Sequence, residues 1–291
     1  IAGLSFSFAS KPLFDKLKIG LLDSFFSVGS LFAETYYTKP VYSVISPFQH
    51  IVIVYSPYYG NQLLLDGRTQ VSDKESIRYH EYLVLPAIAA HPNPQSILVI
   101  GGGDGGALRQ ALKFNLTRID HVDLDEKVVE VSREYLKNVH RGSLDNKRVN
   151  RIIMDGRRYL TQATSETYDI IILDLPDPIK LELLPLYTKE FYDEAKRVLK
   201  KDGFVVTQSS SPYYFLEGYT SIYKTMKASM PNTHPYVFPG SSSGSIGFVI
   251  SGKSLDPRLV RNKEVSGVWY STSDNDYLFR FPKFLQNYFS N

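Results

Sequence analysis

The stretch LVIGGGDGGALRQ, residues 98–110, limits the folds open to this chain more than any other. An apolar run enters five glycines broken only by Asp104, and a helix-forming run follows. A glycine turn between a buried strand and a helix lets the backbone of an α/β sheet approach a ligand closely. The same alternation then repeats. SILVI (96–100), RIDHVDLD (118–125), RVNRIIM (148–154), YDIIILD (168–174) and FVVTQ (204–208) read as strands. GALRQALKF (106–114) and EKVVEVSREYLKNV (126–139) have helical spacing. Apolar strands alternating with helices predict a parallel sheet covered on both faces. Ligands of such sheets bind beyond the carboxyl ends of the strands. Those ends carry acids here: Asp104, then Asp123 and Asp125, then Asp155 before Gly156, then Asp174 and Asp177.

The first part of the chain differs. Residues 40–71 alternate in a β pattern, with turn residues at PYYGN, and predict hairpins. Residues 1–33 are apolar and aromatic but interrupted by Lys11, Pro12, Asp15, Lys16, Lys18 and Asp23. No apolar run there reaches the roughly 18–20 residues of a spanning helix. Two readings of this segment stand: an amphipathic surface packed on the body or a partner subunit, or membrane association at the cytoplasmic face. The expected division is therefore 1–33, a hydrophobic segment; 34–85, an N-terminal β domain; and 86–291, a Rossmann-like catalytic domain. Chain length and an apolar fraction of 43% suffice for that core. A net charge of +3 is too small to argue for nucleic acid. Cysteine is absent and the six histidines show no ligand spacing, so no metal site is expected.

Asp104 decides the ligand class. A dinucleotide pyrophosphate wants bare amides at a helix N-terminus, and a carboxylate repels it. A nucleoside carrying a cationic tail fits. The S-adenosyl sulfonium has that character. Its usual form carries a carboxylate that Asp104 opposes, whereas the decarboxylated form has only a sulfonium and an ammonium. Unit charges 4 Å apart attract by about 4 kcal/mol at an effective dielectric near 20. An amine nucleophile has a pKa near 10.4 and must lose a proton before it attacks. An acid at a strand end, Asp174, can take that proton. The sulfonium is its own leaving group, so no metal is needed to expel it.

With these residues in view, the chain resembles the polyamine aminopropyltransferases, the spermidine and spermine synthase family. The marks are SPFQHIVI, LLLDGRTQVSDKESIRYHE, LVIGGGDGGALR, HVDLDEKVVE, MDGRRYL, IILDLPDP, LYTKEFY, GFVVTQ and IGFVISG, between residues 36 and 252. The resemblance implies a class I S-adenosylmethionine-type, Rossmann-like, mostly parallel sheet with a small N-terminal β-hairpin domain. It implies aminopropyl transfer from decarboxylated S-adenosylmethionine, as co-substrate, to a diamine or polyamine, with release of methylthioadenosine. No further cofactor is implied; a homodimer or homotetramer in the cytoplasm is. Carried over by position, Asp174 is the catalytic acid. Gln49, His80, Gly101, Gly103, Asp104, Asp123, Asp155 and Gly156 bind the donor. Tyr79, Asp177 and Gln208 bind the amine.

Two alternatives remain beside this reading: a methyltransferase, and a nucleoside-binding scaffold without turnover. Each residue also has a plainer role. Asp104 can cap the helix near Gly105, Asp174 the next element, and Asp155-Gly156 and Asp177-Pro178 can be turns. Where many relatives have two small polar residues, this chain has Leu175-Pro176, and Ser241 stands where a tyrosine is frequent. DLPDP with LYTKEFY is closer to the thermospermine-type and membrane-linked branches. The less polar pocket so implied favours spermidine or a similarly long amine over putrescine.

Overall fold

A computed structural model describes residues 39–178, 181–241 and 244–289; the expectations for residues 1–33 fall outside them. The N-terminal sheet is an antiparallel meander of β1 (Lys39–Ile45), β2 (His50–Ser56), β3 (Gly60–Leu65) and β4 (Arg68–Ser72). β3 and β4 are joined through Asp66 and Gly67, both at positive φ (49° and 79°), a backbone twist that matches the flanking strands. β2 is apolar at every position from 51 to 54 because both its faces are covered. Ile51 and Ile53 pack with Val128, Val131, Leu136 and Val139, while Val52 and Val54 pack with Leu64.

The large sheet has seven strands in the order β10-β11-β9-β8-β5-β6-β7. Its parallel part is β5 (Ser96–Gly101), β6 (Arg118–Asp123), β7 (Val149–Ile153), β8 (Tyr168–Asp174) and β9 (Leu199–Gln208). Two antiparallel strands, β10 (Thr233–Ser241) and β11 (Gly244–Gly252), extend one edge. They were not among the strands expected from the sequence. Alternate residues of the central strands serve opposite faces: Ile97 and Val99 join one core, Leu98 and Ile100 the other. That two-sided burial explains the continuous apolar runs.

Helices α1 (Ser76–Ala90), α2 (Gly106–Ala111), α3 (Glu126–Tyr135), α4 (Lys137–His140), α5 (Gly156–Gln162), α6 (Lys189–Val198) and α7 (Leu216–Ser229) fill the connections. The run expected to be helical to 114 stops at Ala111, and the run to 139 breaks at Leu136. The expected domain division between 85 and 86 falls inside α1. That helix packs its apolar residues into the core of the large sheet. Among the described residues, no helix is long and apolar enough to cross a membrane.

Candidate active site

Strand order sets the site. β8 lies beside β5, with Gly101 opposite Asp174 in register. The chain then turns sharply over Asp174: the Gly102 N–H donates to the Asp174 carbonyl at 3.0 Å. A Cβ at Gly101, where φ is +77°, would sit 2.2 Å from that carbonyl oxygen, so only glycine fits. Behind the turn, His121 Nε2 donates to the Gly101 carbonyl at 3.0 Å. Burial pulls the His121 imidazole down to about 4, so it stays a neutral prop.

Helix α1 supplies the other half. Its Tyr79 hydroxyl donates to Asp174 Oδ1 at 2.8 Å. Burial, and then the Asp174 carboxylate, hold the Tyr79 phenol well above its usual range, so it remains a donor. Next to it, His80 Nδ1 lies 2.6 Å from the Ser76 carbonyl. A carbonyl only accepts, so Nδ1 carries hydrogen. Nε2 then faces Asp104 Oδ1 at 3.3 Å and Asp174 Oδ2 at 3.5 Å. Burial opposes charge on this ring, but Asp104 and then Asp174 outweigh it and raise the imidazole to about 9. For Asp104 the balance is the mirror image: burial raises its carboxyl, and the His80 cation more than offsets this.

His80 was expected to line the donor site. It is instead 0% exposed, closed over by α2: a Cβ at Gly106 would lie 2.1 Å from its ring. It holds two site acids rather than opening onto the cleft. Asp104 makes two contacts here. Its Oδ1 accepts the Gly106 N–H at 2.6 Å, a helix-end contact, while the carboxylate faces His80.

Asp123 ends β6 against the same turn, where a Cβ at Gly103 would lie 2.8 Å from its Oδ2. Burial pushes its carboxyl up to about 7, and the nearby Asp125, Asp104 and Asp174 add to that. Gln49 reaches the site indirectly. Its Nε2 donates to Asp125 Oδ2 at 3.0 Å, as Ser46 Oγ does at 2.6 Å, and the Asp125 N–H donates to Asp123 Oδ1 at 2.9 Å. Asp125 also caps α3 through Lys127 N, so one carboxylate joins the N-terminal sheet to the large one.

On the β9 side, Gln208 Nε2 donates to Asp177 Oδ1 at 2.9 Å and leaves its buried Oε1 without a partner. The Tyr187 hydroxyl donates to the Pro176 carbonyl at 2.7 Å and fixes the loop that carries Asp177. Asp155 and Gly156 stand apart at the β7 end. Asp155 caps α5 through Arg158 N, and a Cβ at Gly156 would meet Ile100 at 2.5 Å. Sequence reasoning missed Tyr187, His121 and the joining role of Asp125. Tyr187 does lie within LYTKEFY, and Asp125 within HVDLDEKVVE.

Residues 76–262 match the spermine/spermidine synthase domain, and residues 37–73 match the spermidine synthase tetramerisation domain. A polyamine aminopropyltransferase of Pyrobaculum calidifontis is 40% identical over 225 residues, which is 76% of this chain and 78% of that protein. One from Saccharolobus solfataricus is 39% identical over 224 residues, covering 76% and 73%. A spermidine synthase solved in complex with the transition state analogue AdoDATO superposes with a TM-score of 0.80 at 30% identity, over 87% of this chain and 88% of that one. A spermidine synthase from Thermotoga maritima gives 0.77 at 29% identity, over the same shares. Strand order, the acids gathered at the β5–β8 junction and these similarities agree: this chain belongs to the spermine/spermidine synthase family.

Proposed function

We propose that this chain transfers the aminopropyl group of decarboxylated S-adenosylmethionine to an amine of a diamine or polyamine, releasing methylthioadenosine. The observation that carries the reading is the Asp174 carboxylate at the end of β8, which accepts from the Tyr79 hydroxyl through Oδ1 while its buried Oδ2 has no hydrogen bond among the described residues and faces His80 at 3.5 Å. A carboxylate in a strand-end cleft can accept a proton from an ammonium nucleophile. The neutral amine then attacks the carbon bonded to sulfur. A C–N bond forms, the C–S bond breaks, and its electron pair returns to sulfur as a thioether. No separate cofactor enters.

In this reading Asp104 takes the donor's ammonium, Asp123 the ribose hydroxyls, and Asp155 with Gly156 the adenine. Gln49 supports the donor side through Asp125. Tyr79 and the Asp177–Gln208 pair align the amine, and the unpartnered Gln208 Oε1 supplies an acceptor for one of its N–H groups. His80 positions Asp104 and Asp174. Leu175 packs beneath the Gly101 turn as part of the core, which removes half of the argument for a long acceptor.

The N-terminal sheet carries the tetramerisation match and exposes Val41, Ile45, Phe48, Tyr55 and Tyr58. We read it as the surface through which copies assemble as a homodimer or homotetramer.

The test supplies decarboxylated S-adenosylmethionine or S-adenosylmethionine separately, with putrescine, cadaverine, agmatine, spermidine and norspermidine, and follows products by mass spectrometry. An aminopropylated amine with equimolar methylthioadenosine is expected from the first donor only. A methylated amine from the second donor would favour the methyltransferase alternative.

A further inference from the structure

His80 Nε2, Asp104 Oδ1 and Asp174 Oδ2 all lie within 4.8 Å of one another. Two of the three separations are 3.3 and 3.5 Å. Tetrahedral ligands about 2.0–2.2 Å from a zinc ion stand roughly 3.4 Å apart, so these two edges already have the spacing of a coordination shell. The remaining edge, between two carboxylates, closes by rotation about their soft terminal torsions.

Three further observations bear on a cation. His80 Nδ1 donates to the Ser76 carbonyl, the outer hydrogen bond that fixes a ligating imidazole and aims its other nitrogen. Among the described residues, His80 Nε2 and Asp174 Oδ2 are both buried with no hydrogen bond of good geometry, and they face each other across the cluster at 3.5 Å. One neutral imidazole and two carboxylates carry two negative charges, which a divalent ion neutralises.

We propose that His80, Asp104 and Asp174 form a binding site for a divalent transition-metal ion of the zinc class, and that the bound ion blocks aminopropyl transfer. One nitrogen and two oxygens suit zinc, cobalt and their neighbours better than calcium or magnesium, which take all-oxygen shells. The ion takes the place of the proton on Nε2, which leaves to solvent. A water completes the shell on the cleft side, where the Asp104 and Asp174 side chains retain 11% and 9% exposure. The blocking effect rests on the function proposed above: the same two carboxylates that would hold the donor's ammonium and take the amine's proton are consumed as ligands. Metal and donor therefore exclude each other.

The experiment titrates the metal-free protein with Co²⁺ and follows the visible absorption of a tetrahedral cobalt shell. One Co²⁺ per chain is expected, displaced by Zn²⁺ and by decarboxylated S-adenosylmethionine. His80→Gln and Asp104→Asn should each weaken Co²⁺ binding by about tenfold or more. No tetrahedral band, or unchanged affinity in both variants, overturns the site. If the variants do not fold, X-ray absorption on the zinc-loaded wild type decides. One imidazole with oxygen ligands is expected, and a shell without imidazole overturns the proposal. Full transfer activity at saturating Zn²⁺ overturns the blocking effect. Because cobalt absorption needs no turnover, a chain that binds Co²⁺ as described yet transfers nothing supports the metal site and defeats the transferase reading instead.

Discussion

Asp174 and Asp123 are both aspartates at strand ends, yet their surroundings give them different chemistry. Asp174 accepts from Tyr79 with one oxygen and turns the other toward His80 at 3.5 Å. Asp174→Asn should therefore lower kcat by about 10²- to 10⁴-fold. Methylthioadenosine affinity, read by calorimetry, should stay within about threefold, because that product makes no demand on proton transfer. Burial carries the Asp123 carboxyl up to about 7, and the nearby Asp125, Asp104 and Asp174 add to that. A ribose diol donates hydrogen bonds, so it selects the ionised form. The sign follows: methylthioadenosine binding should release a proton and tighten as pH rises through 7, by about tenfold between pH 6 and 8. Asp123→Asn should flatten that profile. An unchanged slope in the variant would remove Asp123 from the donor site.

At the scale of elements, α1 shows how one helix serves two tasks with consecutive residues. Tyr79 and His80 face the strand-end acids, while Glu81 faces the C-terminal segment. The Glu81 side chain is fully buried and accepts N–H bonds from Val268 (3.0 Å), Trp269 (2.8 Å) and Tyr270 (3.3 Å), with Lys113 Nζ at 3.3 Å. Burial alone would raise its carboxyl; the backbone donors, Trp269 first, lower it below the ordinary 4.5. A lowered folded-state pKa stabilises fully above the unfolded value and loses that contribution as pH falls through the folded one. Glu81→Gln should therefore cost about 1–3 kcal/mol at pH 7. The gap to wild type in urea denaturation should narrow below pH 4.5, the ordinary glutamate value. A gap independent of pH would mean that shape, not charge, anchors the segment. The opposite allegiances of Tyr79, His80 and Glu81 were not legible in the sequence. Sequence spacing gives a helix its faces, not the partners that meet them.

For the whole molecule, the docking of two sheets matters more than either alone. Asp125 receives Ser46 and Gln49 from the N-terminal sheet while its own N–H donates to Asp123, so disturbing the small sheet reaches the donor side of the large one. The same sheet exposes Ile45 at 79% and, in the β1–β2 turn, Phe48 at 53%. Ile45→Glu should shift the assembly toward smaller species in light scattering coupled to size exclusion, with secondary structure unchanged by circular dichroism. An unaltered mass would place the assembly surface elsewhere.

The sequence by itself determined the five parallel strands, though not β10 and β11, the sheet class and the acids at strand ends, because each is a local property: β-branched apolar runs form buried strands, and glycine permits the turns. It also places Asp104 within the turn itself, which is why a cationic ligand was expected. Strand order was decided only by tertiary packing. By placing β8 beside β5 and sending β7 to the far edge, it brought Asp174 against Gly101 and left Asp155 three strands away. Nothing local distinguishes those two acids. The burial of His80 was also settled there. Its neighbour α2 approaches closely enough to seal it only because residue 106 is glycine, and its ion pairs with Asp104 and Asp174 span 24 and 94 residues of chain. Such contacts arise from how layers stack, which no periodicity records.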